Sequence, residues 1–324
     1  MRTIVVRPTH ASVEEAITRS SALLAAAHDE RTVVISASVL EPGPTVVLGA
    51  LQRAGRVLDL EEVGPAGVRV LRRPTTGTGF ALDGGLLVSL ALPSLDAVFS
   101  DVTPRTFLNR NVRPIMRGLD AAGLPCSYFG REWLAARGTS GARARALAVL
   151  GFELEPGGAA LFEAYLTLRG SLEIPGEIAS DLERSCERYR GRPTMSLEEA
   201  DRSSPDVEHL LAAMAERIGF ETRWVSGHVI NTDARRTATP VTREHDPIDA
   251  DAELFEPKPI PIGFMDRARV GRESWVGGDM LGPSFALGFA ASWSDPALPM
   301  EGAVWGDVRR ADDMTQHHLG MRPR

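Results

Sequence analysis

The segment with the clearest chemical character is a threonine- and glycine-rich stretch that begins with two arginines. It reads Arg72-Arg73-Pro74-Thr75-Thr76-Gly77-Thr78-Gly79 and is followed by Asp83. Adjacent guanidinium groups can bind a carboxylate or phosphate through paired hydrogen bonds, and glycine lets backbone amides approach that group. The pattern predicts an anion-binding loop, here called the 72–79 loop. The alternative is an ordinary hairpin loop with solvated arginines, since glycine-rich loops are common.

Apolar runs on both sides of this loop predict its place in a sheet. Residues 68–71 and 86–92 are rich in Val and Leu, as expected of strands. The wider pattern predicts an α/β domain. It predicts helices over 12–27 (with a Ser12/Glu15 capping box), 58–63, 103–122, 177–189 and 206–218, and strands over 32–38, 44–48 and 222–231, with strands and hairpins over 126–168 that include 144–154. Residues 275–278 and 282–283 are predicted as loops, and 284–293 is an apolar run that fits either a strand or a buried helix.

Four sequence elements, in this order, resemble motifs of the lipoate-protein ligase family. Residues 46–49 with Gln52 resemble a strand that ends in Ile-Gly-x-x-Gln-Asn. Residues 72–83 have the length of the family's ligand loop, Arg-Arg-x-Ser/Thr-Gly-Gly-Gly/Arg-Ala-Val-x-His-Asp. Residues 129–132 resemble Phe-Ser-Gly-Arg-Asn-Asp, and residues 140–142 resemble the family's Ser-Gly-Asn/Ser-Ala element.

This resemblance implies a mixed-sheet α/β (α+β) fold of the biotin/lipoate-ligase type. It implies an acyl-binding domain over residues 1–190, followed by a helical linker and a smaller accessory region over 191–324. The residues that would hold a lipoyl- or octanoyl-type group or its adenylate are Arg72, Arg73, Thr75, Thr76, Gly77, Thr78, Gly79, Asp83, Ser140 and Gly141. ATP and Mg²⁺ would be cofactors only if ligase activity is retained, and an acyl-carrier or lipoyl-domain protein would be the acceptor.

The departures from the family pattern concern the groups that do its chemistry. The family has a lysine two residues before the Ser-Gly element, where this chain has Gly138, and its only lysine is Lys258. The histidine before Asp83 is replaced by Leu82, and the middle loop glycines are replaced by Thr76 and Thr78. The family's later His-Gly sequence is absent too. Arg137, Arg143 or Arg145 could supply a charge, but a planar guanidinium places its donors differently from an ammonium.

Cys126 offers a second chemistry. It precedes residues 129–132 and lies close to the position where one octanoyltransferase class carries its nucleophile. A thiol becomes nucleophilic only where its surroundings lower its pKa, and no histidine lies nearby in the sequence. A small, buried core residue is the alternative.

Composition limits the other function classes. A net charge of -7 argues against a general nucleic-acid-binding protein, which needs a concentrated basic face. Two cysteines in 324 residues provide no disulfide framework, and no apolar stretch has the length of a membrane span, so a soluble cytoplasmic protein is expected. His317-His318, His245-Asp246 and Asp312-Asp313 are too isolated to predict a metal site.

Three functions remain open. The first is a lipoate-protein ligase-like enzyme that activates or transfers a lipoyl- or octanoyl-type group to a carrier-protein lysine. The second is a non-catalytic pseudoenzyme of the same fold that acts as a ligand-binding or regulatory partner. The third is a cysteine-dependent acyltransferase that uses Cys126.

Overall fold

The structure of the protein is a computed structural model. It describes residues 1–103, 106–128, 132–137, 144–227, 237–241, 246–248, 252–260, 263–270, 273–282 and 284. No helix within these ranges combines the length and the apolar character needed to cross a membrane.

The described elements are seven α-helices, one 3₁₀ helix and fifteen strands. The helices are α1 (Val13–Glu30), α2 (Ala54–Val57), α3 (Leu60–Val63), α4 (Phe107–Asn111), α5 (Arg113–Ala121), α6 (Asp181–Ser185) and α7 (Val207–Ile218), with the 3₁₀ helix at Arg188–Gly191. The strands are β1 (Arg2–Val6), β2 (Thr9–Ala11), β3 (Val33–Leu48), β4 (Arg69–Arg72), β5 (Phe80–Leu92), β6 (Cys126–Tyr128), β7 (Trp133–Ala136), β8 (Arg145–Leu154), β9 (Ala160–Arg169), β10 (Glu221–Val225), β11 (Thr239–Pro240), β12 (Glu253–Leu254), β13 (Lys258–Ile260), β14 (Gly263–Val270) and β15 (Glu273–Gly278).

Most strands belong to one mixed sheet of eleven strands. Its main path is β10-β1-β3-β5-β9-β8-β7-β6. β1 is parallel to β3 and β10, whereas β3, β5, β9, β8, β7 and β6 pair antiparallel in turn. β2 and β4 add parallel pairs to the long strand β3, and β11 pairs with β4. This mixed sheet with helices confirms the predicted α/β (α+β) class.

A smaller sheet follows the main one. β14 pairs antiparallel with β12, β13 and β15. Residues 275–278, predicted as a loop, lie in β15, so that prediction is wrong. Gly277 has a packing role there, because a Cβ would lie 2.4 Å from the Leu51 carbonyl oxygen.

The main sheet is covered by helices on both faces. Ser12 and Glu15 form the predicted capping box at the start of α1, with backbone–side-chain hydrogen bonds of 3.2 and 3.3 Å. On β5, Leu86 and Val88 pack in the core cluster that contains residues of α5 and α7, whereas Leu87 packs with residues of α1. Alternate side chains of a strand point to opposite faces, so β5 is apolar on both sides.

Several predicted boundaries change. The strands predicted over 32–38 and 44–48 are one strand, β3, with an irregular register between Leu40 and Pro44. The helix predicted over 103–122 is divided at Val112 into α4 and α5. The helix predicted over 177–189 is interrupted: α6 begins after Ser180, whose hydroxyl accepts from Glu183 N–H at 3.0 Å, and it ends at Cys186, where the backbone is extended, before the 3₁₀ helix Arg188–Gly191.

The domain boundary after residue 190 stays a prediction. α7 and β10 follow it, yet α7 packs on α5 and β10 pairs with β1. Their tight fit shows at Gly118 of α5, where a Cβ would lie 2.8 Å from the Leu210 carbonyl oxygen. Of the predicted strand over 222–231, residues up to 225 lie in β10 and 228–231 lie outside the described residues. The run 284–293 lies outside them too, except Ser284.

Candidate functional site

The 72–79 loop joins β4 to β5 and is buried along its whole length apart from Pro74. Arg73, Thr75 and Thr76 have no exposed surface, and Thr78 is 2% exposed. β4 and β5 both pair with β3, so the loop joins two strands of one sheet, as predicted, and is not a hairpin between paired strands. Solvated arginines are therefore wrong for both Arg72 and Arg73.

Arg73 holds the loop through its own carbonyl groups. Its Nε donates to Thr75 O at 3.3 Å, and its Nη2 donates to Thr76 O and Thr78 O at 3.1 Å each. The guanidinium carbon lies 5.1 Å from the ring centroid of Phe80 and 5.4 Å from that of Tyr165, within range of cation–π attraction. All of these Arg73 contacts are with backbone carbonyl groups and aromatic rings of the same chain.

Arg72 also forms its described contacts with groups of the protein. Its Nη1 donates to the carbonyl oxygens of Gly49, at 3.1 Å, and of Gln52. Its Nη2 pairs with Asp246 Oδ1 at 3.1 Å. Burial lowers the pKa of Arg72, and the Asp246 charge opposes that shift.

The first two threonines of the loop bind the neighbouring strands β8 and β9. Thr75 Oγ1 donates to Glu163 Oε2 at 2.6 Å, and Tyr165 OH donates to the same oxygen at 2.7 Å. Burial, followed by the Glu163 charge, raises the pKa of Tyr165, so this hydroxyl keeps its proton. Thr76 Oγ1 lies 2.9 Å from the carbonyl oxygen of Phe152 on β8.

The third threonine, Thr78, connects the loop to a buried charged cluster. Its Oγ1 donates to Asp279 Oδ1 at 3.1 Å. Asp279 also accepts from Gln52 Nε2 at 2.6 Å and from Phe264 N–H at 2.9 Å, and it pairs with Arg188 Nη1 at 2.9 Å. Asp279 has no exposed surface, which is tolerated because each carboxylate oxygen is hydrogen-bonded.

Arg188 and Glu183 complete the charged cluster on its other side. Arg188 Nε donates to Glu183 Oε1 at 2.6 Å, and Arg188 Nη2 pairs with Glu183 Oε2, so the contact is bidentate. Arg188 Nη1 also donates to Thr78 Oγ1. The guanidinium therefore bridges Glu183 and Asp279 beneath the loop.

Glu132 is the one residue of the 129–132 motif that lies within the described residues. It is 2% exposed, and its Oε2 accepts from Thr78 N–H at 3.1 Å. Burial, followed by the nearby Asp279 charge, raises the pKa of Glu132 to about 8. Near neutral pH this carboxyl is therefore mainly protonated, which reduces the repulsion between it and Asp279.

Residues 278–282, here called the covering segment, lie directly on the loop. Gly278 N–H donates to Leu51 O at 2.9 Å, and Gly282 N–H donates to Thr76 Oγ1 at 3.1 Å. Leu281 is fully buried, and its Cδ1 lies 2.8 Å from where a Cβ on Gly77 would be. An acyl-adenylate at this loop would compete with the covering segment for the same space.

The other predicted site residues are spread over the fold. Asp83 Oδ1 accepts from Gly43 N–H at 2.7 Å and supports the irregular part of β3. Cys126 lies in the core, 2% exposed, where burial raises the pKa of its thiol to about 12. Its role as a nucleophile stays a prediction, in surroundings that oppose it. Ser140 and Gly141 lie outside the described residues.

Four basic residues could have replaced the family lysine, and three of them lie within the described residues. None of these three contacts the loop in a described interaction. Arg145 Nη2 pairs with Glu199 at 2.8 Å on the surface. Arg137 follows β7 and is exposed. Lys258 lies on β13, opposite Met265 of β14. Arg143, the fourth candidate, lies outside the described residues.

The sequence interpretation missed most of the charged partners. Glu163 offered a signal, because it is a lone carboxylate within the apolar run of β9 and must find hydrogen-bond donors when buried. Arg188, Glu183 and Asp279 offered none, since they lie in polar or glycine-rich surroundings far from the loop in sequence.

The backbone has clear structural relatives, although no protein-family model and no curated protein matches the sequence. P. falciparum LipL1 in complex with lipoate superposes with a TM-score of 0.58 at 10% identity, over 97% of this chain and 100% of that one. The chain has the fold of the lipoate-protein ligases. A bi-partite lipoate protein ligase from Thermoplasma acidophilum, described with its E2 lipoyl domain, gives a TM-score of 0.50 at 15% identity, over 69% of this chain and 86% of that one. At these identities the likeness establishes the lipoate-protein ligase-like fold, as the sequence resemblance predicted.

Proposed function

We propose that this chain is a non-catalytic protein with the lipoate-protein ligase fold, which serves as a ligand-binding or regulatory partner. The observation that carries this proposal is that side chains of the 72–79 loop form hydrogen bonds and ion pairs with other groups of the same chain. Arg73 Nε and Nη2 and Thr78 Oγ1, which could otherwise donate to an acyl-adenylate, are bonded to carbonyl and carboxylate groups of the chain, and Arg73 Nη1 is buried with no hydrogen-bond partner among the described residues. Ligase activity is the hypothesis that this observation disfavours.

Activation of a carboxylic acid by ATP needs cationic donors that face the reacting phosphoryl group. Stabilising that developing charge is commonly the largest contribution to catalysis, and loss of one donor costs about 10²-fold to 10³-fold in rate. Arg72 Nη1 and Arg73 Nε and Nη2 donate to backbone carbonyl groups, Arg72 Nη2 pairs with Asp246, and the single lysine, Lys258, belongs to the smaller sheet. Most of the cationic donors described at the loop are therefore already bonded to the chain, which disfavours ATP as a ligand there.

The structural relatives suggest which partners to test. LipL1 is described in complex with lipoate, and the T. acidophilum ligase is described with an E2 lipoyl domain. By analogy, we propose a lipoyl- or octanoyl-type molecule or a lipoyl-domain protein as the partner of this chain. A protein that binds the lipoyl domain without modifying it would regulate access to that domain.

The catalytic part of the proposal is tested by a direct activity assay. The purified chain is incubated with lipoate or octanoate, ATP and Mg²⁺, with and without a lipoyl domain, and pyrophosphate release and intact mass are followed. A competent lipoate-protein ligase, assayed in parallel, is the positive control. We expect no release above the enzyme-free blank. Release or acyl transfer by this chain would overturn the proposal and direct attention to Arg137, Arg145 and Lys258.

The binding part is tested by calorimetry on the same preparation. Lipoate, octanoate, the unmodified lipoyl domain and the lipoylated domain are titrated separately. Saturable binding of at least one of them without turnover is the expected result. If none of the four binds, the proposed partners are wrong, whatever the activity assay shows.

A further inference from the structure

Two buried carboxyl groups meet where the covering segment contacts the 72–79 loop, and Thr78 is bonded to both. Its N–H donates to Glu132 Oε2 at 3.1 Å, and its Oγ1 donates to Asp279 Oδ1, also at 3.1 Å. Glu132 is 2% exposed, and Asp279 has no exposed surface. Glu132 directly precedes β7 of the main sheet, whereas Asp279 directly follows β15 of the smaller sheet. A charge on Glu132 therefore acts across the contact that holds the covering segment on the loop.

The described charges around Glu132 balance only while its own carboxyl group is protonated. The titratable groups that surround it are Arg73 of the loop, Asp279 of the covering segment, Glu183 of α6, and Arg188 and Tyr189 of the 3₁₀ helix. Burial raises the pKa of Tyr189, so its hydroxyl is uncharged. The remaining two carboxylates and two guanidinium groups neutralise each other, and ionisation of Glu132 adds a negative charge without a further cation. Like charges repel strongly in surroundings that exclude water.

Asp279 makes most of the contacts that keep the covering segment in place. Two of them lie within the smaller sheet, where Asp279 N–H donates to Phe264 O and Asp279 Oδ2 accepts from Phe264 N–H, each at 2.9 Å. The contacts towards the loop and the charged cluster are those of Asp279 with Thr78, Gln52 and Arg188, and that of Gly282 N–H with Thr76 Oγ1. Since release of the segment breaks this second group, a charge placed beside Asp279 acts on the contacts that matter most.

The protonation state of Glu132 is linked to closure of the covering segment. Burial, followed by the Asp279 charge, raises the pKa of Glu132 to about 8 from an ordinary value of 4.5. The closed state therefore binds this proton more tightly than a state in which Glu132 is hydrated. Closure is favoured most below about pH 4.5, and the preference falls by up to about tenfold per pH unit as the pH rises towards 8.

We propose that Glu132 and Asp279 form a pH-sensitive latch, which holds the covering segment on the 72–79 loop while Glu132 is protonated and releases it when Glu132 ionises. Release separates Leu281 from Gly77 and frees Thr78 Oγ1, so the loop becomes accessible from outside. Which ligand would then reach the loop rests on the proposed function. The latch itself does not, and a failure of the lipoyl partners to bind would leave it unaffected.

The first test is hydrogen–deuterium exchange of the unmodified chain at pH 6 and pH 8, followed by peptide mass spectrometry. Exchange rates of peptides that cover residues 276–282 are divided by the intrinsic rates at each pH, and peptides from 86–92 of β5 are the reference. We expect the protection of 276–282 to be lower at pH 8 by about tenfold or more, with β5 unchanged. Equal protection at the two pH values, or an equal loss in β5, would overturn the proposal.

Two glutamate variants separate ionisation of Glu132 from other effects of pH on exchange. Glu132→Gln keeps an oxygen that can accept from Thr78 N–H but cannot ionise, so residues 276–282 should stay protected at both pH values. Glu62→Gln, which removes an exposed carboxylate from α3, should keep the full pH dependence. The same loss of protection in Glu132→Gln as in the original chain would assign the effect to another group and contradict the latch.

A thiol in the covering segment provides a second readout. Leu281 has no exposed surface, so the thiol of Leu281→Cys should react only after release. Its rate of alkylation by iodoacetamide, divided by that of glutathione at the same pH, should rise about tenfold or more from pH 6 to pH 8. The ratio should stay constant when Glu132→Gln is added, and the buried Cys126 should remain unmodified throughout.

A normalised alkylation rate of Leu281→Cys that does not change with pH would contradict the latch. Modification of Cys126 in parallel would show that the whole domain loosens, which would contradict it too. The exchange experiment on the original chain needs no variant, so it decides the question even if one of the substituted chains does not fold.

Discussion

Thr78 Oγ1 in the 72–79 loop is joined to Asp279 Oδ1 by a 3.1 Å hydrogen bond, although 201 residues separate them in the sequence. Arg188 contacts both residues, and it also pairs with Glu183. The loop that resembles a ligand site is therefore fixed by charged residues that follow it in the chain. Its conformation therefore depends on contacts that lie far away in the sequence.

Removal of Asp279 should be costly to the free energy of unfolding. Asp279→Ala removes a carboxylate that pairs with the buried Arg188, and it removes the carboxylate acceptor of Thr78 Oγ1 and Gln52 Nε2. Breaking a buried ion pair commonly costs about 3–5 kcal/mol, and we expect a loss of that size in urea denaturation. The matched control is Asp181→Ala, which removes an exposed pair with Arg184 and should leave the midpoint unchanged. If both substitutions lowered the free energy of unfolding equally, the buried cluster would contribute no more to stability than an exposed ion pair.

Glu132 should make the stability of the chain depend on pH. Its pKa is raised from a usual value near 4.5 to about 8, so the folded chain binds this proton more tightly than the unfolded chain does. The resulting stabilisation is complete below about pH 4.5 and is lost as the pH rises towards 8. Within that window the contribution falls by up to about 1.4 kcal/mol per pH unit.

The measurement is urea denaturation of the original chain and of Glu132→Gln at several pH values between 5.5 and 8. Glutamine keeps an oxygen that can accept from Thr78 N–H, and it carries no charge. The difference in stability between variant and original should move in favour of Glu132→Gln as the pH rises. Parallel pH profiles would mean that Glu132 does not titrate in this range.

Cys126 should behave as a core residue. With the pKa of its thiol at about 12, the thiolate fraction at pH 8 is about 10³-fold below that of a thiol with the ordinary value of 9.0. We expect alkylation of Cys126 only after unfolding, and no acyl adduct when the chain is mixed with an octanoyl thioester. A covalent adduct that disappears in Cys126→Ser would restore the cysteine-dependent hypothesis.

The parts of the fold predicted correctly depend on neighbouring residues. The Ser12–Glu15 capping box and the strands around the 72–79 loop follow from local patterns of a few residues. The class of fold followed from the order of these elements and from the motif resemblance. Local patterns are sufficient here because caps and strand periodicity depend on residues within one or two turns.

The site itself was predicted only in part, because its contacts are long-range. The residues of the loop were identified, but the pattern indicated that Arg72 and Arg73 would face a ligand, whereas their partners are Gly49 O, Thr76 O and other groups of the chain. Nothing local to Arg72 indicates Asp246, which is 174 residues away. Buried ion pairs of this kind are specified by the tertiary fold and not by spacing.

Arg73 should be needed for stability and not for acyl binding. Arg73→Lys keeps the charge but loses the planar fork, so some of the carbonyl groups of Thr75, Thr76 and Thr78 lose their donor. Each charge-assisted hydrogen bond is worth about 1.5–3 kcal/mol, so a loss of about 2 kcal/mol or more is expected. The exposed Arg117→Lys is the control. Reduced affinity for lipoate with unchanged stability would instead favour a working ligand pocket.

Gly49 should tolerate no larger residue, because β3 ends directly against the 72–79 loop. A Cβ on Gly49 would lie 2.1 Å from the carbonyl oxygen of Gly77, and this contact is with backbone that Arg73 and Leu281 hold in place. Overpacking usually costs about 1–3 kcal/mol, and we expect Gly49→Ala to reach the upper end of that range.

Gly55→Ala provides the matched comparison. This glycine lies in α2, and a Cβ there has nothing within 4 Å. Alanine is favoured over glycine within a helix, so Gly55→Ala should leave stability equal or slightly higher. Thermal unfolding of both variants measures the difference. If Gly49→Ala proved as stable as Gly55→Ala, the loop would have to be free to move away from β3, and the space it vacated would be open to a ligand.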